Sequence, residues 1–151
     1  MSVHLDFALV VGSELLRADE VDPSDPQVRS ILETPPFDGA WLITVDEDEL
    51  LDENLWDRLD VILLDIARKL RKLGSAPSKA SIVFPDTRAT VRFERDAEGT
   101  LTLRHEGNEV TCSFEDFKAA AEEMASRFAD LVRKSTGRLP AAYLPLARLA
   151  G

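Results

Sequence analysis

The sequence predicts a single α+β domain over residues 1–151, with an antiparallel β-meander sheet packed by a long central helix and a second, C-terminal helix. Three observations predict it. Residues 81–113 read as a succession of short β-branched and alternating segments separated by turn residues. Residues 53–73 place Leu55, Leu59, Ile62, Ile66, Leu70 and Leu73 at helical spacing. Residues 113–134 open on Ser113-x-x-Asp116, a variant of the capping box, and continue with a second apolar stripe.

Taken in order, residues 3–11 alternate, with Leu5, Phe7, Leu9 and Val11 on one side and His4 and Asp6 on the other, which is a strand pattern. Gly12-Ser13 suits a two-residue turn with glycine first, and residues 15–18 can return as a second strand. The acidic, proline-containing stretch 19–26 reads as loop. Residues 26–32 form a short helix with Pro26 at its start, stopped by Thr34-Pro35-Pro36. Residues 40–45 are a short apolar run that reads as a buried strand. Asp52 is the expected N-cap of the long helix over residues 53–73, which Gly74 closes. Trp56, Val61, Leu63 and Leu64 widen its stripe, so cover from more than one side is expected, and Trp41 and Trp56 are both expected in the core.

The meander makes testable register statements. Ala97-Glu98-Gly99 suits a three-residue hairpin loop that pairs Phe93 with Leu103 and Val91 with His105. Gly107-Asn108 suits a type II′ turn that pairs His105 with Val110, Leu103 with Cys112 and Leu101 with Phe114. Both registers put Val91, Phe93, Leu101, Leu103, Val110 and Cys112 on one face and Arg92, Glu94, Thr102, Arg104 and Thr111 on the other. In the last helix Phe114, Phe117, Ala121, Met124, Phe128 and Leu131 form the stripe, and Gly137 ends it. The apolar tail beyond Leu139 either folds back over the core or makes a dimer or partner contact.

Composition narrows the class. A chain of 151 residues buries about 70% of its unfolded surface, enough for a core without staples. One cysteine, Cys112, excludes an internal disulfide and a cysteine-based zinc site and fits a reducing, cytoplasmic location. His4 and Asp6 interrupt any apolar signal region, and runs such as Val61-Ile62-Leu63-Leu64 are too short to span a bilayer, so neither a signal peptide nor a membrane span is expected. The net charge of −10 repels nucleic acid and anionic lipid, so neither is an expected partner. The one basic cluster, Arg68, Lys69, Arg71, Lys72 and Lys79, falls at a helix end, where cations favour the macrodipole.

No phosphate loop, dinucleotide fingerprint or nucleophile elbow is present. His4 and His105 are isolated, and Cys112 sits mid-strand facing the core, so none is expected to carry chemistry. The run Asp46-Glu47-Asp48-Glu49 departs from a calcium loop because Leu50 and Leu51 stand where polar ligands and glycine should follow. No metal, no cofactor and no enzymatic activity are expected. The rival expectation is a site assembled around His105 and scattered carboxylates.

The charge is uneven. Residues 1–60 hold sixteen acids against three basic residues, and residues 61–151 hold twelve acids against fifteen. The excess peaks at Asp46, Glu47, Asp48, Glu49, Asp52, Glu53, Asp57 and Asp60, with only Arg58 against them. Helix capping accounts for some of these; the surplus is the expected contact face for a protein with a basic surface, such as a toxin. In charge and size the chain resembles the immunity proteins that neutralise bacterial toxins, and also the dimeric acidic chaperones of secretion systems. The first resemblance implies a non-enzymatic inhibitor that covers a basic cleft. The second implies a dimeric adaptor that uses the apolar tail.

Overall fold

The computed structural model describes residues 2–150. Among these residues the fold is α+β, built from two antiparallel sheets and four α-helices. The first sheet has the order β2-β1-β3-β4, from β1 (Val3–Val11), β2 (Glu14–Arg17), β3 (Asp38–Val45) and β4 (Asp48–Leu51). A two-residue strand, β5 (Asp57–Arg58), pairs with the start of β3. The second sheet is the expected meander of β6 (Ser78–Val83), β7 (Thr90–Arg95), β8 (Thr100–His105) and β9 (Asn108–Ser113). Helix α1 (Pro26–Glu33) precedes β3, α2 (Leu59–Lys72) joins the sheets, and α3 (Phe114–Thr136) and α4 (Leu144–Ala150) close the chain.

Alternation along β1 works as its sequence implies. Leu5, Phe7, Leu9 and Val11 turn inward, and Gly12 takes a φ of +64° at the first position of the turn to β2. Cross-strand pairs Leu5–Ile43 and Phe7–Trp41 put the inner residues of β3 on the same core face. Gly39 is dictated by crowding. A Cβ there would lie 2.2 Å from the Ala8 carbonyl oxygen and 2.9 Å from Leu59 Cδ2. Beyond its pairing with β2, the edge of β1 is capped by side chains. The Asp6 carboxylate accepts the Phe7 N–H at 2.9 Å, and the Arg127 guanidinium donates to the Leu5 carbonyl at 2.6 Å while lying 3.5 Å from Asp6. An edge so occupied offers fewer free backbone groups to another strand.

In the meander, Phe93 faces Leu103 and Arg92 faces Arg104, as the Ala97-Glu98-Gly99 loop predicts, with Gly99 at a φ of +88°. The β8–β9 turn corrects the expected one. Its loop is Glu106-Gly107, with φ of +47° and +82°, so His105 pairs with Asn108, Leu103 with Val110 and Leu101 with Cys112. Two successive left-handed residues form the type I′ geometry, whose twist matches the flanking strands, and glycine serves best at its second position. Each partner moves by two residues, so the core face is unchanged: Val91, Phe93, Leu101, Leu103, Val110 and Cys112 are all buried.

The long helix is also corrected. It begins at Leu59, and Asp52 is not its N-cap. Asp52 Oδ1 instead accepts the Asn54 N–H in a turn, Trp56 Nε1 donates to the Glu53 carbonyl, and Asp57 and Arg58 pair with Gly39 and Asp38. Strand pairing and burial of Leu50 and Leu51 in β4 outweigh helical spacing here. A helix from residue 53 would also have set Glu53 against Asp57 at i, i+4, a like-charge pair. The true start is held by Phe37, whose carbonyl accepts the Leu59 N–H and whose N–H donates to Asp60, both at 3.0 Å. Trp56 is therefore 42% exposed, and Val61 is exposed as well; only Trp41 of the two tryptophans lies in the core.

Helix α3 starts as its sequence implies, with Ser113 Oγ accepting the Asp116 N–H at 3.0 Å, and ends at Gly137, whose φ is +81°. Its stripe joins both sheets. Phe117 meets Phe93, and Phe128 meets Phe7, Phe37 and Tyr143, in one contiguous core. The apolar tail folds back. Tyr143 is buried and its hydroxyl donates to the Leu32 carbonyl at 2.8 Å, while Leu146 packs into the core.

Candidate functional site

The acidic run divides among three environments. Asp46 and Glu47 form the turn of the β3–β4 hairpin, and Asp48 and Glu49 begin β4; all four are exposed. Asp46 has a φ of +56°, a conformation that aspartate tolerates better than most residues. It is fastened to the chain start, since its N–H donates to the Ser2 carbonyl at 2.7 Å and its carboxylate accepts the Ser2 N–H at 2.8 Å. Asp52 and Glu53 lie on the following turn, where Glu53 pairs with Arg17 of β2.

Asp57 stands apart from the exposed face. It is 3% exposed and its carboxylate accepts four hydrogen bonds: from the N–H of Arg58 (2.7 Å), Asp86 (3.2 Å) and Thr87 (2.9 Å), and from the Thr87 hydroxyl (2.8 Å). Burial pushes this carboxyl up, but the bonds from Thr87, Arg58 and Asp86 outweigh burial and hold it below its ordinary value. The residue clasps the β6–β7 loop to the first sheet and has no free oxygen face to offer a partner.

Folding adds an acid that sequence distance conceals. The β3–β4 turn and the beginning of β9 enclose an open groove of about 490 Å³ in which Glu47, Asp48, Glu49 and Glu109 converge. Leu50, Asn108 and Val110 complete its lining, which contains no basic side chain among the described residues. Glu109 lies 3.4 Å from Arg104, which also pairs with Glu94 at 3.2 Å. The acidic residues Glu106 and Glu109 around the β8–β9 turn are visible in the sequence; their approach to residues 47–49 is not.

The other residues singled out by sequence have structural surroundings. His105 is 8% exposed, with Nδ1 at 3.1 Å from the Thr90 carbonyl and Nε2 at 3.8 Å from Glu106. His4 is exposed and lies 3.8 Å from Asp6. Cys112 is buried, and burial, with smaller contributions from Asp116 and Asp46, pushes its thiol up to about 11, where it is protonated and inert at neutral pH. Lys69, Arg71 and Lys72 occupy the last turn of α2, as the macrodipole favours. Among the described residues, no three His, Cys, Asp or Glu side chains are grouped to hold a metal ion, and no helix is long and apolar enough to cross a membrane.

Comparison of the chain with protein-family models, curated proteins and solved structures gives no match. The class that the fold and this surface define is an α+β protein with an acidic groove between two hairpin turns.

Proposed function

We propose that this protein is a non-enzymatic binding protein whose acidic groove docks on a basic surface of a protein partner, in the manner of an immunity-type inhibitor covering a toxin. One observation carries the reading: Glu47, Asp48, Glu49 and Glu109 come together from separate hairpins around a groove with no basic side chain among the described residues of its lining. Repulsion among clustered carboxylates opposes folding, and a cationic partner relieves it. Complementary potentials of this kind accelerate encounter and disfavour wrong partners more than they raise affinity. The contact face is Asp46, Glu47, Asp48 and Glu49 with Glu109, while Asp52 and Glu53 flank it. The burial of Tyr143 and Leu146 in the chain's own core favours this reading over an adaptor that presents its tail.

The test is a fourfold variant, Glu47→Gln, Asp48→Asn, Glu49→Gln and Glu109→Gln. A partner captured from the source cells should be basic, and its association rate with the wild-type chain should fall steeply with salt. The variant should keep its fold and lose most of that rate and most of its salt dependence. Binding that is indifferent to both salt and the four substitutions would refute the proposal.

A further inference from the structure

A second pocket has the opposite electrostatic character. It lies where α2, α3 and α4 meet the end of β7, encloses about 360 Å³, and shares no residue with the acidic groove. Arg71, Arg95, Lys118 and Arg148 line it, against one acid, Glu115. Its accessible apolar lining is Ala67, Pro145 and Leu149, above the buried Leu70 and Phe114. Among the described residues, none of the four cations has a carboxylate within 4.0 Å; what sets them apart from other unpaired cations such as Arg88, Arg92 and Arg138 is that they line one pocket. A chain with ten surplus acids has gathered around this pocket four cations that have no carboxylate partner among the described residues.

Structural duties account for only part of this set. Arg95 donates to the Leu73 carbonyl at 2.7 Å and stacks over Phe114, with its guanidinium carbon 4.1 Å from the ring centroid. That holds the guanidinium at the pocket wall. Arg71 lies in the last turn of α2, where a cation is favoured. Lys118 is exposed one turn into α3, and Arg148 lies in the last turn of the short helix α4; neither side chain has a hydrogen-bond partner among the described residues. Cations brought together without counter-charge repel, and an anion among them reverses the sign of that interaction. The volume is that of a small-molecule site, and the lining combines apolar surface with convergent charged groups.

We propose that this pocket binds a small organic anion, with its acidic head among Arg71, Lys118 and Arg148 and its flat apolar body against Ala67, Pro145 and Leu149. Arginine suits a phosphate or carboxylate head because its planar fork bonds two oxygens at once. The site is independent of the acidic groove and of the partner proposed for it.

The test uses the full chain and three probes in calorimetric titration: 2-naphthyl phosphate, inorganic phosphate and 2-naphthol. The expected result is one saturable site for 2-naphthyl phosphate, at least about tenfold tighter than for either half alone. Lys118→Glu and Arg148→Glu should each weaken it about tenfold or more, because each removes a bond to a charged group and adds repulsion. Arg138→Glu, which makes the same charge change beyond the far end of α3, should leave it unaltered. Thermal melts establish that each variant is folded, and Lys118→Glu decides the matter if Arg148→Glu loosens α4. The proposal is overturned if 2-naphthyl phosphate shows no saturable site, if 2-naphthol binds equally well, or if Arg138→Glu weakens binding as much as Lys118→Glu.

Discussion

Replacing Asp57 should separate a structural carboxylate from the exposed acids that neighbour it in sequence. Asp57→Asn keeps the shape of the side chain but exchanges one acceptor oxygen for an N–H₂ donor. The native carboxylate receives donors from Arg58, Asp86 and Thr87. At least one of these would then face another donor. Hydrogen bonds to a charged acceptor contribute about 1.5–3 kcal/mol each, and water can replace part of that for the donors of exposed Asp86 and Thr87, so the net loss should be about 2–3 kcal/mol. That is a large share of a stability that is about 5–15 kcal/mol for a typical domain. The pH dependence has a definite sign. The folded-state pKa lies below the unfolded value of about 3.9, so the contribution is complete above about pH 5 and is lost as pH falls through the folded pKa. Urea unfolding of wild type and variant between pH 7 and pH 3 measures both effects. The gap should be widest at neutral pH and narrow in acid. A variant within about 0.5 kcal/mol of wild type at pH 7, or a gap that stays constant into acid, would refute the clasp, since changes that small are typical of plain surface sites.

Two further substitutions test the packing. Gly39→Ala would drive a methyl group into the Ala8 carbonyl and Leu59, so denaturant unfolding should register a loss of upwards of about 3 kcal/mol or no accumulation of folded protein. Tyr143→Phe leaves the buried Leu32 carbonyl without its donor and should cost about 1–2 kcal/mol, with faster proteolysis in the tail as the second readout. An unchanged stability and cleavage rate would mean that the tail is not docked as described.

Much of the fold was legible because it is written in local terms. Turn chemistry and alternation place β1, β2 and the meander, and the Ser113 cap and Gly137 bound α3 within a residue or two. The β8–β9 turn was misplaced because one glycine can serve either central position of a two-residue loop, and the choice depends on the twist of the strands it joins. The start of α2 was misplaced for a different reason. Residues 53–58 have helical spacing, yet their backbone groups and Asp57 find better partners in β3 and in the 84–89 loop, both remote in sequence.

By itself the sequence determined the class of the fold, the inward faces of the strands and of α3, and the concentration of acid before α2. These follow from short-range periodicity and from summed charge. Tertiary structure alone decided that the strands divide into two sheets, that Asp57 is a buried clasp while Glu47, Asp48 and Glu49 stay exposed, and that Glu109 joins them. It alone gathered Arg71, Arg95, Lys118 and Arg148 around one pocket. Each of these outcomes depends on distances between residues far apart in the chain, and such distances are set only when the whole core packs.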